Sequence, residues 1–160
     1  MVARYLTRFN PSVMDADALE ALCIHSPTVV DALMDHALGS RTEARPHALL
    51  TGGWGTGKTH IIAVVYHRLR GNVEGLARPL IAWLREEEYG AMSFADFLES
   101  ILEALNREYP ETDVGDRLAA CRGLSRKQAE ERLQELLARV VGPSALVILA
   151  ESLDTIQGGL

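Results

Sequence analysis

Apolar residues recur along this chain at two spacings, three to four apart in some stretches and continuous over five or six residues in others, and the alternation between them marks out its elements. Residues 1–14 read as an extended lead-in. Val29, Val30, Leu33, Met34 and Leu38 then fall on one helical face. Ser26 can cap that helix, Pro27 suits its first turn and Gly39 can end it, so the spacing predicts a helix at about 27–38. The polar stretch "GSRTEARP" leads into a short apolar run, His47 to Thr51, which predicts a strand. After a glycine loop, "KTHIIAVVYHRLRG" is apolar on nearly every side as far as Tyr66, and Gly71 can stop it; a helix buried between layers follows. Leu80 to Leu84, after Pro79, is continuous and apolar, as a buried parallel strand requires.

"MSFADFLESILEALNREYP" places Ser93 and Asp96 as a capping box and Phe94, Phe97, Leu98, Ile101, Leu102 and Leu105 on one face, with Pro110 as the stop. "LSRKQAEERLQELLARVVGPS" repeats the plan with Ser125 and Gln128 as the box and Leu133, Leu136, Leu137 and Val140 as the stripe. Ala145 to Ala150 predicts a third buried strand. Strands alternating with helices imply an α/β fold, a parallel β-sheet with helices on both faces in three layers. Residues 1–40 form a lead-in and a helix packing on the core, and residues 41–160 form the core itself. No internal repeat or low-complexity segment interrupts this order.

Composition narrows the function classes. A chain of 160 residues with 48% hydrophobic and 24% charged residues can bury a core of its own and should fold as one domain. Its formal net charge is −6 with acids and bases interspersed, so there is no basic stripe for a nucleic acid backbone. Cys23 and Cys121 have no CxxC or metal spacing and read as buried, reduced thiols. The N-terminus lacks the apolar core of a signal peptide, and no run approaches the roughly 18 apolar residues of a membrane span; the expected setting is cytoplasmic.

The chemistry is concentrated in "HALLTGGWGTGKTH". Gly52-Gly53-Trp54-Gly55-Thr56-Gly57-Lys58-Thr59 matches GxxxxGK[ST] in full, between an apolar run and an apolar helix. A triphosphate concentrates negative charge, and a ring of backbone amides can meet it only where side chains do not obstruct. The helix beginning near Gly57 aims amides and its positive dipole end at the same phosphates. Lys58 would bridge the terminal phosphates and Thr59 would offer its hydroxyl to Mg2+. Trp54 lies in the loop without a derivable role, and His60, adjacent to Thr59, either joins the nucleotide contacts or packs near the helix start.

Hydrolysis needs a carboxylate at a neighbouring strand end for the metal and a second to orient water. "ALVILAESLD" is the candidate, in two registers. If Glu151 is the water-orienting acid, Ala150 stands at the metal position; if Glu151 is the metal ligand, Ser152 stands where the second acid belongs. The second register is preferred, because it keeps Ala150 in the strand and lets "ESLD" read as acid-x-x-acid, with Asp154 at one remove. Glu86, Glu87 and Glu88 follow the second strand, at the edge where ligands bind in such sheets or in a solvated loop.

On "HALLTGGWGTGKTH" and "ALVILAESLD" together, the chain resembles the P-loop ATPases of the additional-strand class, and more narrowly the AAA-type and STAND-type ATPases related to origin-recognition proteins, over about Leu19 to Asp154. The resemblance implies ATP and Mg2+ as cofactors, with adenine near Ile24 to Val29. It also implies a further strand inserted beside the loop strand, which would follow the acidic motif. The chain ends six residues after Asp154, so the expected sheet is incomplete, the core is truncated at its C-terminal end, and its missing region is the expected route to a protein partner or self-association.

The leading expectation is an ATP-binding domain of an AAA-type ATPase, with Lys58 and Glu151 catalytic, Thr59 and Glu151 on the metal, and weak hydrolysis because the second motif is degenerate. The alternatives are a non-catalytic nucleotide-binding interaction module and, with less support, a small-molecule or nucleotide kinase, whose arginine-rich lid "GNVEGLARPLIAWLREEEYG" does not supply. Arg85, Arg122 and Arg126 are available as arginine fingers, but none is singled out.

Overall fold

In the computed structural model the described residues are 11, 14–22, 27–39, 47–71, 78–85, 93–121 and 123–151. Ser26, Cys23, Ile24, Glu86, Glu87, Glu88, Arg122, Ser152 and Asp154 lie outside them. The chain divides into two compact units, Met1–Leu76 and Ala77–Leu160.

The first unit is helical. Helix α1 spans Ala16–Leu22, α2 spans Pro27–Gly39 and α3 spans Lys58–Arg70. Asp15 starts α1, its Oδ1 accepting from Ala18 N at 2.8 Å, a contact that satisfies one of the helix's orphan amides. Both α1 and α2 pack on α3. Leu19, Val30, Ala63, Val64 and Leu69 are buried. Arg68 of α3 ties the three helices together: Nε and Nη2 donate to the two Glu20 carboxylate oxygens at 2.6 and 3.0 Å, and Nη1 donates to Asp31 Oδ1 at 2.9 Å. The Arg68 hydrogen bond holds the Glu20 carboxyl below its ordinary 4.5, and its return raises Arg68 above the usual guanidinium value.

A depressed carboxylate contributes stability that is full above its unfolded pKa and is lost as pH falls through the folded one. The pair is partly exposed, at 35% for Arg68 and 41% for Glu20, so screening keeps its contribution to about 1 kcal/mol or less. Arg68→Met should therefore lower stability at pH 7 by about that amount, and the gap to the native chain should close below pH 4.5 as Glu20 protonates. Urea unfolding at pH 7 and pH 3 measures both; an undiminished gap at pH 3 would assign the loss to packing instead.

The second unit carries the sheet. Strand β1 (Leu80–Leu84) pairs in parallel with β2 (Leu146–Ala150), with Leu80 opposite Leu146 and Leu84 opposite Ala150. A parallel pair needs a long crossover, supplied here by α4 (Phe94–Glu108), a 3-10 turn at Pro110–Thr112, α5 (Val114–Cys121) and α6 (Arg126–Val141). Ser93 caps α4, accepting from Asp96 N at 3.2 Å. Gln128 Oε1 accepts from Ser125 N at 3.3 Å and from its hydroxyl at 2.7 Å at the start of α6.

One face of α4 lies on β1, where Ala82 and Leu84 meet Ile101, Ala104 and Leu105. The other side meets α5 and α6 through Leu98, Leu102, Val114, Leu118, Leu133 and Leu136.

The helix over 27–38 and the strand over Leu80–Leu84 stand where the spacing predicts them, and β2 begins one residue later than predicted. The predicted strand His47 to Thr51 is not one: this segment has no ladder, and His47, Ala48 and Leu49 are exposed. A strand exists through its pairing, and among the described residues the sheet consists of β1 and β2 alone. The α/β class holds in a chain that is mostly helical with a small parallel sheet. β2 is also less buried than its apolar run implies, Ile148 being 39% exposed, and Phe94 stands outside the buried stripe of α4 at 47%. Cys121 is a free thiol, partly rather than fully buried.

Candidate nucleotide-binding loop and acidic strand end

The loop from Gly52 to Gly57 owes its shape to glycine. Gly55 and Gly57 have φ of 75° and 84°, in the left-handed region that side chains resist. At Gly52 an added Cβ would come within 2.8 Å of Thr56 Oγ1, so the cradle closes only around a bare backbone. Thr56 Oγ1 donates to Gly53 O at 2.8 Å and cinches the turn. Gly57 leads into α3 without a side-chain cap, and the first helical bond runs from Ile61 N to Gly57 O at 3.0 Å. The amides ahead of that bond are those a phosphate takes at a helix start.

Lys58 folds back over the loop, its Nζ donating to Gly52 O and Gly53 O, each at 2.9 Å. An ammonium has three donors, so this arrangement holds the charge over the glycines with a further donor to spend. Thr59 is the next residue of α3 and is half-buried. His60 Nε2 donates to Leu19 O at 2.9 Å, which makes it a tie between α3 and α1. Trp54 projects from the loop, fully exposed at 103%.

Glu151 follows β2 in the second unit. It is a buried acid at 7% exposure, and its backbone amide donates to Leu84 O at 3.1 Å, which extends the β1–β2 ladder by one rung. Its Oε1 accepts from Trp83 Nε1 at 2.8 Å. Trp83 is 1% exposed, its carbonyl accepts from Arg107 Nη2 at 3.1 Å, and the Arg85 guanidinium sits 4.7 Å from its ring centroid. Sequence reasoning took "LIAWL" as core and missed this contact. The available signal was Trp83 itself, because a buried indole N–H requires an acceptor. Among the described residues no three His, Cys, Asp or Glu side chains gather as a metal cluster.

Left-handed glycines, a folded-back lysine and an uncapped helix start define a P-loop nucleotide-binding domain. The model of the KAP family P-loop domain matches residues 28–123, more than half of the chain, and the chain belongs to that family. No curated protein and no solved structure matches it. Among the described residues no helix is long and apolar enough to cross a membrane.

Proposed function

We propose that this chain binds ATP with Mg2+ through the loop 52–59 and hydrolyses it weakly. The observation that carries the reading is the loop's form: a tight glycine turn in which a Cβ at Gly52 would collide with Thr56 Oγ1, with Lys58 held above it. Gly52, Gly53, Gly55, Thr56 and Gly57 would lay backbone amides along the phosphates, Trp54 and His60 would flank them, and Lys58 would give its remaining donor to a phosphate oxygen. Thr59 and Glu151 are the proposed Mg2+ ligands. A threonine hydroxyl and a carboxylate are each of the oxygen type that ion takes, since it keeps to a few protein oxygens plus phosphate and water instead of a full protein cage. When bound, Mg2+ would neutralise charge on the phosphates; Lys58 would do the same from the loop, and Glu151 would keep its carboxylate at the strand end.

Weak turnover is expected because Ser152 follows Glu151 and brings no carboxylate to orient water. That serine also supports a second reading, an interaction module in which ATP is bound and not cleaved. The finer kinship to AAA-type and STAND-type ATPases, coupling to a protein partner and a cytoplasmic setting belong to the same proposal. They rest on "ALVILAESLD", the element order and the composition.

Thermal unfolding with 0 to about 100 Kd of ATP tests binding, since a ligand taken by the folded state alone adds about 2.7 kcal/mol at that excess. A melting temperature indifferent to ATP overturns the proposal. Phosphate release in Mg·ATP then separates the readings: slow release supports the ATPase, and binding without release supports the module.

A further inference from the structure

We propose that Trp83 is a positioning residue for the Glu151 carboxylate, its buried indole N–H fixing the acid in the orientation in which it serves as a metal ligand; this rests on the reading of Glu151 given above. The side chain of a glutamate at a strand end can turn about three bonds, and a metal ligand that turns loses affinity to entropy. Here the backbone of Glu151 is fixed by Leu84 O and one carboxylate oxygen by Trp83 Nε1, so β1 holds the acid at both ends.

The donor's chemistry matters. An arginine or lysine donating here would orient the carboxylate and offset its charge as well; an indole is neutral, so the Trp83 contact itself orients without adding a positive charge. Trp83 is itself restrained, buried at 1% exposure with its carbonyl taken by Arg107 and its ring beneath Arg85. The arrangement therefore spends a large buried aromatic on holding one acid still. Trp83 also stands opposite Leu149 in the ladder, two residues before Glu151, so the parallel register itself brings the indole to the acid.

The test uses the full chain with 15N-labelled tryptophan. The two indole N–H resonances are told apart by solvent exchange, fast for exposed Trp54 and slow for Trp83, and the affinity for Mn2+ in the presence of saturating ATP is read by electron paramagnetic resonance. Manganese with ATP should broaden the Trp83 indole resonance, and Glu151→Gln should remove that broadening. Trp83→Phe should weaken Mn2+ by about tenfold or more, the usual effect of removing a hydrogen-bond partner from a metal ligand, while ATP binding in EDTA stays unchanged.

If Glu151→Gln weakens Mn2+ and Trp83→Phe does not, Trp83 is merely a satisfied core residue and the proposal is overturned, with the metal role of Glu151 intact. If neither variant changes Mn2+ affinity and the resonance stays sharp, the metal role of Glu151 fails and takes the proposal with it. Should Trp83→Phe fail to fold, replacement of tryptophan by benzothienylalanine in a Trp54→Phe background removes the indole N–H at nearly constant ring size: weaker Mn2+ binding than in Trp54→Phe decides in favour, and unchanged Mn2+ binding decides against.

Discussion

Lys58→Ala is expected to leave the chain folded and to abolish most of its response to ATP. In the free protein the lysine's two hydrogen bonds go to exposed loop carbonyls of Gly52 and Gly53, so water replaces them and the unliganded melting temperature should barely move. In the complex the same ammonium would face the terminal phosphates, where charge-assisted bonds are worth about 1.5 to 3 kcal/mol each. The loss of one such bond, near the upper end of that range, weakens binding by about 100-fold, given about 1.4 kcal/mol per factor of ten.

At an ATP concentration about 100 times the native Kd, stabilisation should fall from about 2.7 kcal/mol to about 0.4 kcal/mol. Lys127→Ala, an exposed position on α6, controls for generic loss of a positive charge and should retain the native response. Calorimetric melting of the three chains with and without ATP reads the result. Undiminished stabilisation of Lys58→Ala would remove the loop from the phosphate site.

How far the sequence discloses this arrangement depends on whether a feature is local. The glycine loop is legible in full because its shape comes from glycine φ values and from contacts spanning a few residues, such as Thr56 to Gly53. The capped starts of α4 and α6 are legible for the same reason: Ser93 with Asp96 and Ser125 with Gln128 are single-turn contacts.

The segment 47–51 shows the limit. Its apolar run suits a strand, but a strand requires a partner that composition does not name. The short helices α1 and α5 are hard to read because they offer little periodicity: α5 buries only Val114 and Leu118, and Gly115 lies in its first turn. Trp83 and Glu151 are 68 residues apart, and their contact follows from the parallel register, which no window of local pattern contains. His60 is legible as a residue beside the loop, yet its hydrogen bond crosses 41 residues to Leu19.

Leu102→Ala should be among the most destabilising single substitutions in the second unit, at about 2 to 5 kcal/mol. Leu102 is 0% exposed and sits where α4, α5 and α6 meet, with Leu98, Val114, Leu118, Leu133 and Leu136 around it. Truncation removes about three carbon groups of buried apolar surface and leaves a cavity, which three helices anchored at other contacts can fill only partly. The loss is large against a total stability of about 5 to 15 kcal/mol for a typical domain. Leu102→Met, which conserves volume, should cost less than about 1.5 kcal/mol, so the pair separates cavity formation from a change of side-chain type. Urea unfolding followed by far-UV circular dichroism measures both, and a Leu102→Ala cost below about 1 kcal/mol would mean that the helices collapse onto the space. The consequence reaches the acidic strand end, because α4 also carries Arg107, whose guanidinium holds the Trp83 carbonyl, and Ile101 and Leu105, which lie on β1. An α4 loosened at Leu102 should therefore expose the Trp83 indole N–H to faster solvent exchange before global unfolding, and Leu102→Met should keep that exchange slow.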